Sequence, residues 1–65
     1  PNNTIIRRAL FDAGMRQWQL AELLGITEFT LSRKLRHELP EEEQIRIVNL
    51  IHPEGAIKMN EQHIP

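Results

Sequence analysis

The chain contains no cysteine. That absence removes disulfide staples, thiolate metal sites and any cysteine nucleophile. Long apolar runs are also missing: nowhere do the roughly 20 hydrophobic residues of a membrane span follow one another. No signal-peptide pattern stands at the start, so the expected location is the cytoplasm. There is no glycine-rich phosphate loop and no nucleophile elbow. The histidines, His37, His52 and His63, are irregularly spaced and have no cysteine partners, which argues against a metal site. Glu41, Glu42 and Glu43 are adjacent, so on a helix they fan outward instead of converging. Neither an enzyme nor a cofactor, metal or small-molecule substrate is expected.

What is present suits an ordinary soluble globular domain, with 40% hydrophobic and 26% charged residues. At 65 residues the chain makes one domain. A domain of this size buries only about 60% of the surface its unfolded chain exposes, which leaves a thin core and little room for a deep pocket. The net charge of −1 conceals a division. Residues 1–36 hold Arg7, Arg8, Arg16, Arg33, Lys34 and Arg36 against Asp12, Glu22 and Glu28, a net of +3. Residues 37–65 hold Arg46 and Lys58 against six glutamates, a net of −4. A basic half and an acidic half suggest two functional faces; chance clustering on a solvated surface is the plainer alternative.

Glycine and proline divide the chain into elements. A first helix is expected over about Thr4 to Ala13, capped by Asn3 or Thr4, with Ile6, Ala9, Leu10 and Ala13 at helical spacing. Gly14 follows where a left-handed residue is wanted. A second helix over about Gln17 to Leu24 turns Leu20, Ala21 and Leu24 inward and ends at Gly25, although Arg16 is a poor cap. Thr27 is a good cap for a third helix reaching about Arg36, with Leu31 and Leu35 as its buried pair. The Leu39-Pro40 step breaks the chain, because proline disfavours helical geometry in the residue before it. Pro40 then suits the first turn of a fourth helix, where the dipole favours the three glutamates. Its apolar stripe is expected to be Ile45, Val48 and Ile51, with Ile47 or Leu50 at the edge, and His52-Pro53 ends it. The expected fold is all-α, a small bundle of four short helices over residues 1–53. Residues 54–65 read as a C-terminal tail, irregular or with a short strand through Ala56-Ile57-Lys58-Met59.

The informative stretch is Gln17 to Arg36, QWQLAELLGITEFTLSRKLR. Two short helices joined through Leu24-Gly25-Ile26-Thr27 form a tight connection of the helix-turn-helix kind. Ala21 lets the second helix lie close to the third, Gly25 allows a sharp turn, and Ile26 and Leu31 plug the angle between the helices. The stretch resembles the phage lambda repressor and Cro-like helix-turn-helix family, in which a Gln opens the second helix, Ala and Gly follow four and eight residues later, and a Ser/Thr-led helix reads the groove. Here those residues are Gln17, Ala21, Gly25 and Thr27, followed by Thr30-Leu31-Ser32-Arg33. More loosely, the resemblance covers residues 4–51. It implies a transcriptional regulator, often a homodimer on a palindromic operator, that docks its third helix in the major groove of double-stranded DNA. Three departures stand out. Arg16 replaces the family's capping Ser or Thr, no fifth helix is visible after Ile51, and the fourth helix opens with three glutamates.

With Leu31 and Leu35 turned inward, Glu28, Phe29, Ser32, Arg33 and Arg36 should face outward. Recognition helices present their N-terminal residues to base edges. Arg33 suits a bidentate contact to guanine, Glu28 an acceptor for cytosine N4, and Phe29 a thymine methyl. The resemblance gives Gln17 a phosphate contact at the start of the second helix, puts Thr27 at the DNA interface at the head of the third, and implies an exposed Trp18. Plainer alternatives stay open: Phe29 as core, Arg33 and Lys34 as solvated charges, Glu28 as a dipole-favoured carboxylate, and Arg7 and Arg8 as a solvated face. The expected function is a sequence-specific DNA-binding regulator, a phage or mobile-element repressor. The alternative is a protein-interaction module, an antitoxin or antirepressor that uses the acidic helix 40–51 and the tail.

Overall fold

Two glycines set the first corners of the chain. Gly14 and Gly25 adopt φ of 64° and 73°, left-handed values that cost glycine little and other residues more. After each, the next amide reaches back five residues: Met15 N–H donates to the Leu10 carbonyl at 2.9 Å and Ile26 N–H to that of Ala21 at 3.0 Å. Met15 and Ile26 then fold onto the core, as the apolar residue closing such a helix end commonly does.

The computed structural model describes residues 2–55, and these form α1 (Thr4–Ala13), α2 (Gln17–Leu24), α3 (Glu28–Lys34), α4 (Glu41–Ile51) and a 3₁₀ turn at Pro53–Gly55. The fold is all-helical. The strand considered through Ala56-Ile57-Lys58-Met59 lies outside the described residues. Among the described residues no helix is long and apolar enough to cross a membrane.

The core takes Ile6 and Ala9 from α1, Leu20 and Ala21 from α2, Leu31 from α3, and Ile47 and Ile51 from α4. Leu35 and Leu39, from the segment between α3 and α4, complete it. α1 packs on α4 and α2 on α3. Ala21 is buried on the inner face of α2, the helix that packs on α3. Ala13, expected on the inner face of α1, is exposed at its last turn.

Two further expectations are corrected. The third helix ends at Lys34, and Leu35 caps it, so Arg36 sits in the turn that follows. The buried stripe of α4 is Gln44, Ile47 and Ile51, with Ile45 and Val48 at its edges and Leu50 exposed. The stripe is rotated because a polar residue occupies the core. Gln44 Nε2 donates to Glu38 Oε2 and to the Leu39 carbonyl, both at 2.9 Å, which makes its burial tolerable.

Asn3 completes that polar corner. It is fully buried, at a left-handed φ of 57°, and stands at the N-cap of α1, though its side chain makes no capping bond there. Its Nδ2 instead donates to the carbonyls of Leu35 at 3.1 Å and His37 at 2.9 Å, while its Oδ1 accepts from the Leu39 amide at 2.8 Å. Its own N–H donates to Glu38 Oε1 at 2.8 Å. The start of the chain thereby fastens the segment that carries α3 into α4. The Glu38 carboxyl is held below the ordinary glutamate range, first by that Asn3 amide and then by Gln44, since both bonds favour its charged form.

Candidate nucleic-acid interface

α3 begins at a residue chosen for the task. Thr27 is extended, at φ −80° and ψ 159°, and its Oγ1 accepts from the Thr30 amide at 3.1 Å. The same hydroxyl donates to Thr30 Oγ1 at 3.0 Å. Thr27 is therefore engaged in starting the helix. Glu28 in the first turn and Arg33 and Lys34 in the last both agree with the helix dipole.

One side of α3 is core and the other is bare. Leu31 and Leu35 are buried, and Glu28, Phe29, Ser32 and Arg33 are exposed together on the remaining face. Phe29 is 69% exposed, so it is not a core residue. Large aromatics are usually covered, and an uncovered one on a surface of mixed polar groups is an informative exception. The Arg33 guanidinium carbon lies 5.6 Å from the centre of the Phe29 ring, within reach of a cation–π contact.

The cations of the basic half are not equally available. Lys34 Nζ is 2.8 Å from Glu43 Oε2, which ties the end of α3 to the first turn of α4. Arg8 Nε pairs with Asp12 at 3.1 Å, and Arg7 Nε donates to the Asn2 carbonyl at 2.9 Å. Arg33 and Arg36 form no salt bridge among the described residues. Together with Thr30, Lys34 and His37 they line an open recess of about 430 Å³ at the end of α3. With Lys34 engaged by Glu43, the two guanidinium groups, the His37 ring and the Thr30 hydroxyl make this surface suited to an anion.

A second recess, of about 590 Å³, lies where α1 ends and α2 begins. Its lining includes Phe11, Arg16, Gln17, Trp18 and Glu28, so the structure brings Gln17 of α2 and Glu28 of α3 to one place. Trp18 is 47% exposed, as the resemblance implies. The poor cap at Arg16 is compensated from inside the helix: Gln19 Oε1 accepts from the Arg16 amide at 2.7 Å. That leaves position 16 open to a cationic side chain.

All seven residues expected at the interface lie on or beside α2 and α3, with Thr27 at the head of α3 as its cap. Glu28, Phe29, Ser32 and Arg33 share one face, Gln17 joins Glu28 at one end, and Arg36 joins Arg33 at the other. Sequence reasoning passed over Thr30 and His37. Thr30 could have been found, since it lies one helical turn before Arg33. His37 could not, because it reaches the recess through a turn outside the helix. No family model, curated protein or solved structure matches this chain.

Proposed function

We propose that this domain is a sequence-specific binder of double-stranded DNA that regulates transcription, with α3 laid in the major groove. The observation that carries this reading is the bare face of α3. A carboxylate, an aromatic ring, a hydroxyl and a guanidinium stand side by side on a helix whose opposite side is core. A solvated face needs charge alone; four different chemistries in a row suit the distinct donor, acceptor and methyl pattern of base edges. The flanking recesses supply positioning. Arg16 and Gln17 line the recess at one end and Arg36 and His37 the recess at the other, and in this reading they meet phosphates flanking the groove. Repression follows if the bound operator blocks polymerase, and a second copy would read the other half of a palindrome.

Salt and two substitutions test the reading. With Lys34 and Arg8 in intramolecular ion pairs and Arg7 bonded to the Asn2 carbonyl, Arg16, Arg33 and Arg36 remain for DNA. About three contacts per domain give a slope near −3 for log affinity against log salt concentration. Arg33→Ala is expected to lose about 1–3 kcal/mol on the best site and to relax preference at one base pair. Gln17→Ala should weaken all sequences alike, since a phosphate contact carries no sequence information. Fluorescence anisotropy at several salt concentrations, with selection from a random duplex library, reads all three. No binding at any salt concentration overturns the proposal.

A protein-interaction role has one observation of its own. Leu24, Ile26, Ile47 and Leu50 line a largely apolar depression of about 210 Å³ between α2 and α4, with Lys34, Glu43 and Arg46 also on its walls. A tight protein partner in the absence of any DNA affinity would favour this reading.

A further inference from the structure

Phe29 and Arg33 stand four residues apart, one turn along the bare face of α3. Side chains on a helix lean toward its N-terminus, so Arg33 leans back over the turn that holds Phe29. The observed 5.6 Å between the guanidinium carbon and the ring centre is that arrangement. Two consequences follow. The ring restricts the rotamers of a long, mobile side chain before any ligand arrives, which lowers the entropy lost when its planar fork engages an acceptor pair. The ring also remains widely exposed, so it still has apolar surface to offer.

We infer that Phe29 and Arg33 act as one reading unit for a thymine and a guanine on adjacent base pairs, the ring covering the thymine 5-methyl group while the fork engages guanine O6 and N7. This rests on the DNA-binding reading given above and adds to it a two-base specificity. The spacing supports adjacency. Successive base pairs are about 3.4 Å apart along the duplex, and two groups in mutual contact cannot address bases several steps apart. The chemistry supports the identities, since thymine alone presents a methyl group in the major groove and guanine alone presents two acceptors to one fork. Lys34, the neighbouring cation of α3, is engaged by Glu43, whereas Arg33 forms no salt bridge among the described residues.

The experiment begins with selection of a best duplex from a random library by the whole chain. Deoxyuridine then replaces the adjacent thymine, or 7-deazaguanine the guanine, and affinities are measured for wild type, Phe29→Ala and Arg33→Ala. Phe29 is exposed, so its truncation leaves the fold intact, and circular dichroism checks this. For wild type, loss of the methyl group should weaken binding about fourfold, the worth of one methyl removed from water. Phe29→Ala should lose that sensitivity and show a smaller 7-deazaguanine penalty, because the fork is no longer held. Arg33→Ala should lose the 7-deazaguanine penalty altogether. A selected site with no thymine beside its guanine, or an equal deoxyuridine effect in wild type and Phe29→Ala, overturns the paired unit and leaves DNA binding standing. Failure to select any sequence overturns DNA binding, and the pair with it.

Discussion

Replacing Asn3 by alanine removes three hydrogen bonds from a fully buried side chain and changes little else of comparable size. Each such bond contributes about 1 kcal/mol net. The Leu39 amide, buried where it meets Asn3, is then left without that acceptor at a cost of about 1–3 kcal/mol. Alanine also tolerates the left-handed φ of 57° poorly, which adds about 1–2 kcal/mol. Allowing for overlap between these effects, the expected loss is roughly 3–5 kcal/mol. A domain of 65 residues has about 3–10 kcal/mol in total, so Asn3→Ala should be close to unfolded at room temperature. Asn3→Gly separates the causes, since it loses the same bonds but accepts the backbone conformation. The assay is urea denaturation followed by far-UV circular dichroism, comparing midpoints at unchanged slope. A loss under about 1 kcal/mol in Asn3→Ala would refute the hydrogen-bond reasoning. Wild-type stability in Asn3→Gly would assign the effect to the backbone alone.

Three further outcomes are expected. Gly25→Ala should cost about 1–2 kcal/mol from its φ of 73° alone, because an added Cβ meets no atom within 4 Å; an unchanged melting temperature would show that this turn bears no strain. Ala21→Leu should cost on the order of 1–3 kcal/mol by forcing α2 and α3 apart, and stability at the wild-type level would mean that the contact has slack. Glu38 contributes stability that is present at neutral pH. As pH falls below its ordinary value of 4.5 the unfolded chain binds the proton first, so stability declines until the lower folded-state value is passed. Glu38→Gln should flatten that acid limb, and an identical pH profile of the urea midpoint in both proteins would count against the network.

The parts of the fold legible in the sequence are those governed by one residue acting locally. Gly14 and Gly25 mark the ends of α1 and α2 because a left-handed residue is nearly glycine's alone to supply, and Pro40 marks the start of α4 by fixing its own backbone. Leu31 and Leu35 are readable as a pair because nothing polar competes for that side of α3. The stripe of α4 is misread because hydrophobic periodicity assigns Gln44 to solvent, and only its bonds to Glu38 and Leu39 explain its burial. Asn3 is read only in part: it stands at the N-cap of α1, but its side chain bonds elsewhere. An asparagine before a helix suggests a cap, and nothing local indicates that its partners lie more than 30 residues away. At the interface the outward residues of α3 follow from its inward ones, whereas His37 depends on how the chain turns after Leu35.

The Asn3 clasp also bears on the order of events in folding. Its bonds close loops of 32 to 36 residues, about half the chain, whereas the corners at Gly14 and Gly25 form between neighbours. The entropy of closing so long a loop favours its formation after the local helices and their first contacts exist. Interactions that form after the transition state govern the rate of unfolding and leave the rate of folding nearly untouched. Weakening the clasp should therefore shorten the lifetime of the native state, with the chain collapsing as fast as before. Since the clasp grips Leu35 and His37, each opening would loosen the C-terminal end of α3, and occupancy of that end by a ligand would slow it.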